Sequence, residues 1–155
     1  MSFEQMIEDL KKGSGLKRTQ AAADLGKLMD KRACDALIEA LNDPNMGVRS
    51  NASFALAEIS AKEAVPYLIK VLNDPEERVR KSAAKALGML SAGEAVSALS
   101  QALNDSSYKV RKSAARSLGQ IGGPKALQSL ERAVSDPDTV VASVVREAIE
   151  KLKNR

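Results

Sequence analysis

The chain contains no histidine and no tryptophan, and it has one cysteine, Cys34. Without imidazole there is no Ser-His-Asp or Cys-His machinery and no histidine metal ligand. Carboxylate or lysine chemistry would be the remaining routes to catalysis. One thiol cannot close an internal disulfide, which suits a reducing compartment. Aromatic residues make up 3% of the chain, too few for a sheet sandwich packed on Tyr and Phe. No apolar run approaches the roughly 20 residues of a membrane span. The opening MSFEQMIEDLKKG is acidic early and lacks the apolar stretch of a signal peptide. The expected setting is the cytoplasm, and no cofactor is expected.

What is present folds and repeats. The composition is 44% hydrophobic and 28% charged over 155 residues, enough for one domain with a core. The net charge of +4 allows nucleic acid as a partner without demanding it. LNDP occurs at Leu41–Pro44 and Leu72–Pro75, LNDS at Leu103–Ser106 and VSDP at Val134–Pro137. An offset of 31 residues aligns these with no gap, and five such units use all 155 residues. The same offset aligns Leu25, Leu56, Leu87, Leu118 and Ile149, and upstream Met6, Leu37, Leu68, Leu99 and Leu130. The units run approximately 1–31, 32–62, 63–93, 94–124 and 125–155, one solenoid domain over 1–155.

Each unit reads as two helices. Apolar residues at i, i+3/i+4 and i+7 predict first helices over roughly 3–11, 33–42, 64–73, 95–104 and 124–134. Second helices are predicted over roughly 15–29, 46–60, 77–91, 108–121 and 139–153. Between them Asp74 is expected to cap the second helix, with Pro75 at its first position and Glu77 as the capping-box acid. Gly26, Gly88 and Gly119 fall inside second helices, where Gly costs about 1 kcal/mol relative to Ala; close helix approach would explain the repetition. A two-helix unit cannot bury its apolar face alone, so the units must stack.

The pattern D-P-x-x-x-V-R-x-x-A-A-x-A-L-G-x-I/L, best seen in Asp74 to Leu90, resembles the HEAT-like repeats named after phycobilisome lyases. The resemblance covers the whole chain. It implies an all-α, right-handed α-solenoid of five two-helix repeats, about ten helices, with the second helices lining the concave face. It does not imply lyase activity, since such repeats occur in unrelated binding proteins. The di-iron hydroxylases with this repeat use His-Glu pairs and the DNA glycosylases use tryptophans, and this chain has neither histidine nor tryptophan.

Breaks in the pattern carry information. The turn acid recurs as Asp43, Asp74, Asp105 and Asp136, but the first unit has Lys12; the helix arginine recurs as Arg18, Arg49, Arg80 and Arg111, but the last unit has Ala142. Pairing within a unit would orphan Arg18 and Asp136. Pairing each Arg with the Asp of the next unit leaves no charge alone, which predicts the ladder Arg18–Asp43, Arg49–Asp74, Arg80–Asp105 and Arg111–Asp136. A phosphate-binding stripe is the functional alternative for these arginines. In the last unit, Val140, Val144 and Val145 replace residues that are mostly polar or small upstream, and they flank Val141, which keeps the repeat's valine. They mark either a terminal cap or a homodimer contact.

Removing core and ladder positions leaves the variable positions of the second helices as a candidate partner-binding surface: Met46, Asn51, Phe54, Lys81, Lys85, Met89, Tyr108, Lys109, Lys112 and Arg116. A basic patch flanked by apolar side chains suits an acidic, partly apolar protein or peptide; a merely solvated face is the plain alternative. The expectation is a non-enzymatic protein–protein scaffold. The alternatives are an accessory or chaperone subunit resembling phycobilisome lyase subunits, and a nucleic-acid binder, for which Tyr108 and Phe54 would be the stacking platforms.

Overall fold

A computed structural model describes residues 1–155. Ten α-helices follow one another: α1 (Phe3–Lys12), α2 (Gly15–Lys27), α3 (Cys34–Ala40), α4 (Met46–Glu58), α5 (Val65–Val71), α6 (Glu77–Met89), α7 (Val96–Ala102), α8 (Tyr108–Ile121), α9 (Pro124–Arg132) and α10 (Thr139–Lys153). There is no strand, and single 3₁₀ turns at Lys31–Ala33, Lys62–Ala64 and Gly93–Ala95 lead into α3, α5 and α7. The middle first helices are shorter than their periodicity predicts. Asp43 N–H bonds to Ala40 O, and Asp74 N–H to Val71 O, so the chain tightens into a turn where Leu41 and Leu72 still face the core.

The Asp-Pro turn differs from the expected cap. Asp43, Asp74, Asp105 and Asp136 each accept the backbone N–H two residues on, at 2.8 to 3.0 Å. The helix starts beyond that turn, so Asp74 is not the N-cap of α6, Pro75 lies outside the helix, and Glu77 is its first residue. An Asx turn of this kind leaves the second carboxylate oxygen available to another unit. The N-cap position is held instead by Ser14, Asn45, Glu76, Ser107 and Asp138, of which Ser14, Asn45 and Asp138 accept helix N–H groups.

The second helices pack side by side along the stack, with far more extensive mutual contact than the first helices make with one another. Small residues permit this. A Cβ on Gly26 would lie 2.8 Å from Ala55 Cα, one on Gly88 2.7 Å from Ser117 Cβ, and one on Gly119 3.0 Å from Ala148 Cβ. The α4–α6 step carries Ala57 and Ala86 at the equivalent positions. A two-layer stack bends toward its tighter layer, so the second helices form the inner face. Their outer sides and the first helices enclose a single cluster of 42 buried residues running from Leu10 to Ala148, a continuous core of the kind that stacking demands.

Each of the first three second helices ends on a residue in the left-handed region, Met29 (φ 55°), Ser60 (φ 56°) and Ser91 (φ 50°), with Gly122 (φ 77°) in the fourth. Ser60 N–H bonds Ala57 O and Ala61 N–H bonds Leu56 O, the paired bonds that close a helix end when one residue turns left-handed. Three of the four valines of the last unit, Val141, Val144 and Val145, are buried, and Val140 is half exposed. A self-association surface drawn from that cluster would have Val140 alone.

Candidate partner-binding face

The ladder arginines join the turn that precedes each second helix to the turn of the next unit. Arg18 Nε and Nη2 donate to Asp43 at 2.7 and 3.0 Å, Arg49 to Asp74 at 2.8 and 3.1 Å, Arg80 to Asp105 at 2.9 and 3.1 Å, and Arg111 to Asp136 at 2.9 and 3.2 Å. The remaining Nη1 of Arg49, Arg80 and Arg111 donates to the backbone carbonyl of the Asp in its own unit at 2.9 to 3.0 Å. Each guanidinium therefore ties one turn to the next. Burial alone would raise the Asp43 and Asp136 carboxyls, but the Arg bond and the N–H of the Asx turn outweigh it and hold both below the ordinary range.

With the ladder arginines so engaged, Lys81, Lys85, Lys109, Lys112 and Arg116 are cations of α6 and α8 with no ion-pair partner. Lys81 and Lys85 of α6 and Tyr108, Lys109, Lys112 and Arg116 of α8 line one furrow of about 300 Å³, together with Ser113, Ser117 and Gln120. Five cations thus share a concavity whose wall holds no carboxylate. Phe54 of α4 stands beside it, with Lys85 Nζ 5.1 Å from the ring centroid, within cation–π range.

The other residues selected from the sequence lie elsewhere. Asn51 Nδ2 donates to Thr19 O at 2.9 Å, so its amide joins α4 to α2. Met46 and Met89 are 38% and 42% exposed but do not line the furrow. Met46 begins α4, and Met89 ends α6.

Sequence reasoning misses Ser117, which lines the furrow and donates to Ala84 O at 2.6 Å. Its signal is a hydroxyl at a position that reads Ala55, Ala86 and Ala148 in neighbouring units. It also misses Glu147 and Lys151, which line the adjoining furrow between α8 and α10 with Arg116.

Cys34 is buried in the core. Burial first, and then the neighbouring Glu63 carboxylate, push its thiol up to about 12, which keeps it protonated and a poor nucleophile. No group of three or more His, Cys, Asp or Glu side chains is placed to hold a metal ion, and no helix is long and apolar enough to cross a membrane.

The architecture has counterparts among known proteins. A chain in the structure of the complex of CpcE and CpcF of phycocyanin lyase from Nostoc sp. PCC7120 superposes with a TM-score of 0.89 at 28% identity, over 100% of this chain and 66% of that one. This chain thus spans slightly under two thirds of that neighbour. A designed armadillo repeat protein in complex with the peptide (KR)4 gives a TM-score of 0.73 at 24% identity, over 95% of this chain and 80% of that one. Human deoxyhypusine hydroxylase gives 0.61 at 19% identity, over 99% and 74%. These last two share the fold alone. No curated protein sequence matches. The family model for HEAT repeats matches residues 4–78, 35–104 and 65–150, and on that match, which spans nearly the whole stack, the chain belongs to the HEAT repeat family.

Proposed function

We propose that the protein is a non-catalytic scaffold that binds an acidic segment of a protein partner along the inner face of α6 and α8. The observation that carries this reading is the furrow of Lys81, Lys85, Lys109, Lys112 and Arg116 with no carboxylate in its wall. Five like charges held together repel one another, and a partner's carboxylates would relieve that repulsion while steering association. The neighbouring Phe54 supplies an apolar edge for a partner side chain. A protein of the same fold class, the designed armadillo repeat, is solved with a charged peptide, (KR)4; here the sign is reversed.

The test is fluorescence anisotropy with a labelled acidic peptide and the variant Lys81→Glu, Lys85→Glu, Lys112→Glu and Arg116→Glu. Reversal should weaken binding by about tenfold or more at moderate ionic strength. An unchanged affinity in a variant that melts normally sinks the proposal.

A second reading is favoured by the likeness to a chain of the CpcE and CpcF complex: an accessory subunit that pairs with a second subunit and handles a chromophore or its acceptor protein. A coloured complex after incubation with a bilin would support it. Unchanged bilin absorption, with and without an acceptor protein, would count against it.

A further inference from the structure

The repeat sorts the inner face into rows that cross the helices. One row reads Ala23, Phe54, Lys85, Arg116, Glu147, and its neighbour reads Lys27, Glu58, Met89, Gln120, Lys151. A third reads Thr19, Ser50, Lys81, Lys112, Ser143. In these rows the cations with no acid beside them therefore lie on α6 and α8, while Lys27 and Lys151 stand near acids. On one side, Glu147 shares the α8–α10 furrow with Arg116, and Lys151 lies one helical turn from it. On the other side, the Glu58 carboxylate lies over Gly26 of α2. Burial first raises Glu58, and Lys27 opposes that; Lys27 also lies 4.0 Å from Asp24. Both flanks thus hold acid, Glu58 and Asp24 against Lys27 and Glu147 against Lys151, so in these rows neither flank adds net positive charge.

We infer that the groove selects a short acidic segment and gains nothing from a longer polyanion; this rests on the binding reading above. Neighbouring helices stand about 8–10 Å apart. With the reach of their side chains, α6 and α8 together present roughly 20 Å of cationic surface, or about six residues of an extended chain at about 3.3 Å each. An acid beyond that length meets Glu58 or Glu147 within about one Debye length of roughly 8 Å. A nucleic-acid strand carries its charge without such a limit. The bracketed charge therefore favours a peptide whose acidic run is short over a strand of DNA or RNA.

The experiment measures anisotropy of labelled peptides of one constant length, carrying two, four, six, eight or twelve consecutive glutamates in a Gly-Ser chain, against the full-length protein. Affinity should rise about tenfold between two and six glutamates, at the usual strength of exposed charge pairs. Between six and twelve it should change by no more than about twofold, because each of the roughly seven registers open to a twelve-glutamate run presses surplus acid against Glu58 or Glu147. In E58K/E147K the twelve-glutamate peptide should gain about fivefold over the six-glutamate one. E58Q/E147Q, which leaves the fold less perturbed, should move the same way by about twofold.

Affinity that climbs with every added glutamate in the unmodified protein overturns the length limit and leaves the binding reading intact. Failure of every peptide to bind removes the binding reading itself. Tighter binding of a single-stranded oligonucleotide than of the six-glutamate peptide, lost on the four-site charge reversal, overturns the inference in favour of nucleic acid.

Discussion

Arg49 and Asp74, 25 residues apart, meet through two parallel bonds of 2.8 and 3.1 Å, while the third guanidinium nitrogen of Arg49 holds Asp43 O at 3.0 Å. One planar group thus binds its own unit's turn and the next unit's turn together. Asp43 is in turn gripped by Arg18, so the rungs connect in series along the stack. The Arg49 and Asp74 side chains are 14% and 9% exposed, dry enough for the pair to matter and wet enough to limit its worth.

Arg49→Lys should therefore fail as a conservative change, because an ammonium cannot form the fork to Asp74 and reach Asp43 O together. The expected loss is about 1–2 kcal/mol, and Arg49→Ala should lose about 2–3 kcal/mol by leaving Asp74 unpaired. Urea unfolding measures both. Equal stability of Arg49→Lys and the parent would show that the bonds are interchangeable with simple charge.

Acid should weaken the stack through the same contacts. The Asp43 and Asp136 carboxyls lie below their ordinary values in the folded chain, so the folded state favours their ionised forms. Their contribution is complete above the unfolded carboxylate range and disappears as pH falls through the lower folded values. Urea midpoints taken from neutral pH down to about pH 3 should fall. In Asp43→Asn, which keeps an acceptor for the Asn45 N–H, the starting stability should be lower and the decline shallower. An identical slope would remove Asp43 from the account.

How much of this is readable in the sequence depends on whether a position repeats. The core stripe Leu25, Leu56, Leu87 and Leu118, all fully buried, stands out because every unit must fill the same space. The Gly26 and Gly88 positions are readable because a residue that costs helix stability recurs in register. The turn misleads at Asp74: from letters alone, an Asp two residues before the N-cap looks like the cap, and only the backbone path places Pro75 outside α6. The partner face is readable in part. Lys81, Lys85, Tyr108, Lys109, Lys112 and Arg116 line one furrow, but no letter tells that Asn51 turns to Thr19 O and commits its amide there. Such non-repeating side chains obey local contacts, which periodicity does not encode.

The left-handed helix ends offer a gain in stability. Ser60 and Ser91 adopt φ of 56° and 50°, a region that costs an L-residue roughly 1–2 kcal/mol. Glycine removes that cost but adds freedom to the unfolded chain, so Ser60→Gly and Ser91→Gly should each stabilise by about 0.5–1 kcal/mol. Thermal melts read the change, and a lowered melting temperature for both would mean that the serine hydroxyls hold the turn.

The glycines of the inner layer should respond unequally to alanine. Gly26→Ala drives its Cβ to 2.8 Å from Ala55 Cα, which is backbone, whereas Gly119→Ala meets the Ala148 side chain at 3.0 Å. Helix propensity favours alanine by about 1 kcal/mol in both. Overpacking should exceed that at Gly26, for a net loss of about 1–2 kcal/mol, and roughly cancel it at Gly119. Denaturant unfolding of the two variants decides the order; Gly119→Ala as the more damaging change would contradict the packing described for the α2–α4 step.

Phe54 separates charge from contact on the partner face. Its ring lies 5.1 Å from Lys85 Nζ, so it holds that ammonium over the furrow without adding charge of its own. Phe54→Leu keeps an apolar side chain and removes the π face. Binding of a six-glutamate peptide should weaken by about two- to fivefold, the worth of an exposed cation–π contact. Its dependence on salt should stay the same, because the number of cations meeting the peptide is unchanged. Lys112→Ala should do the reverse and flatten the salt dependence. Peptide titrations of both variants at several ionic strengths read the difference. If Phe54→Leu also flattens the salt dependence, the ring acts by placing charge beyond Lys85; if it leaves affinity untouched, Lys85 needs no support from Phe54.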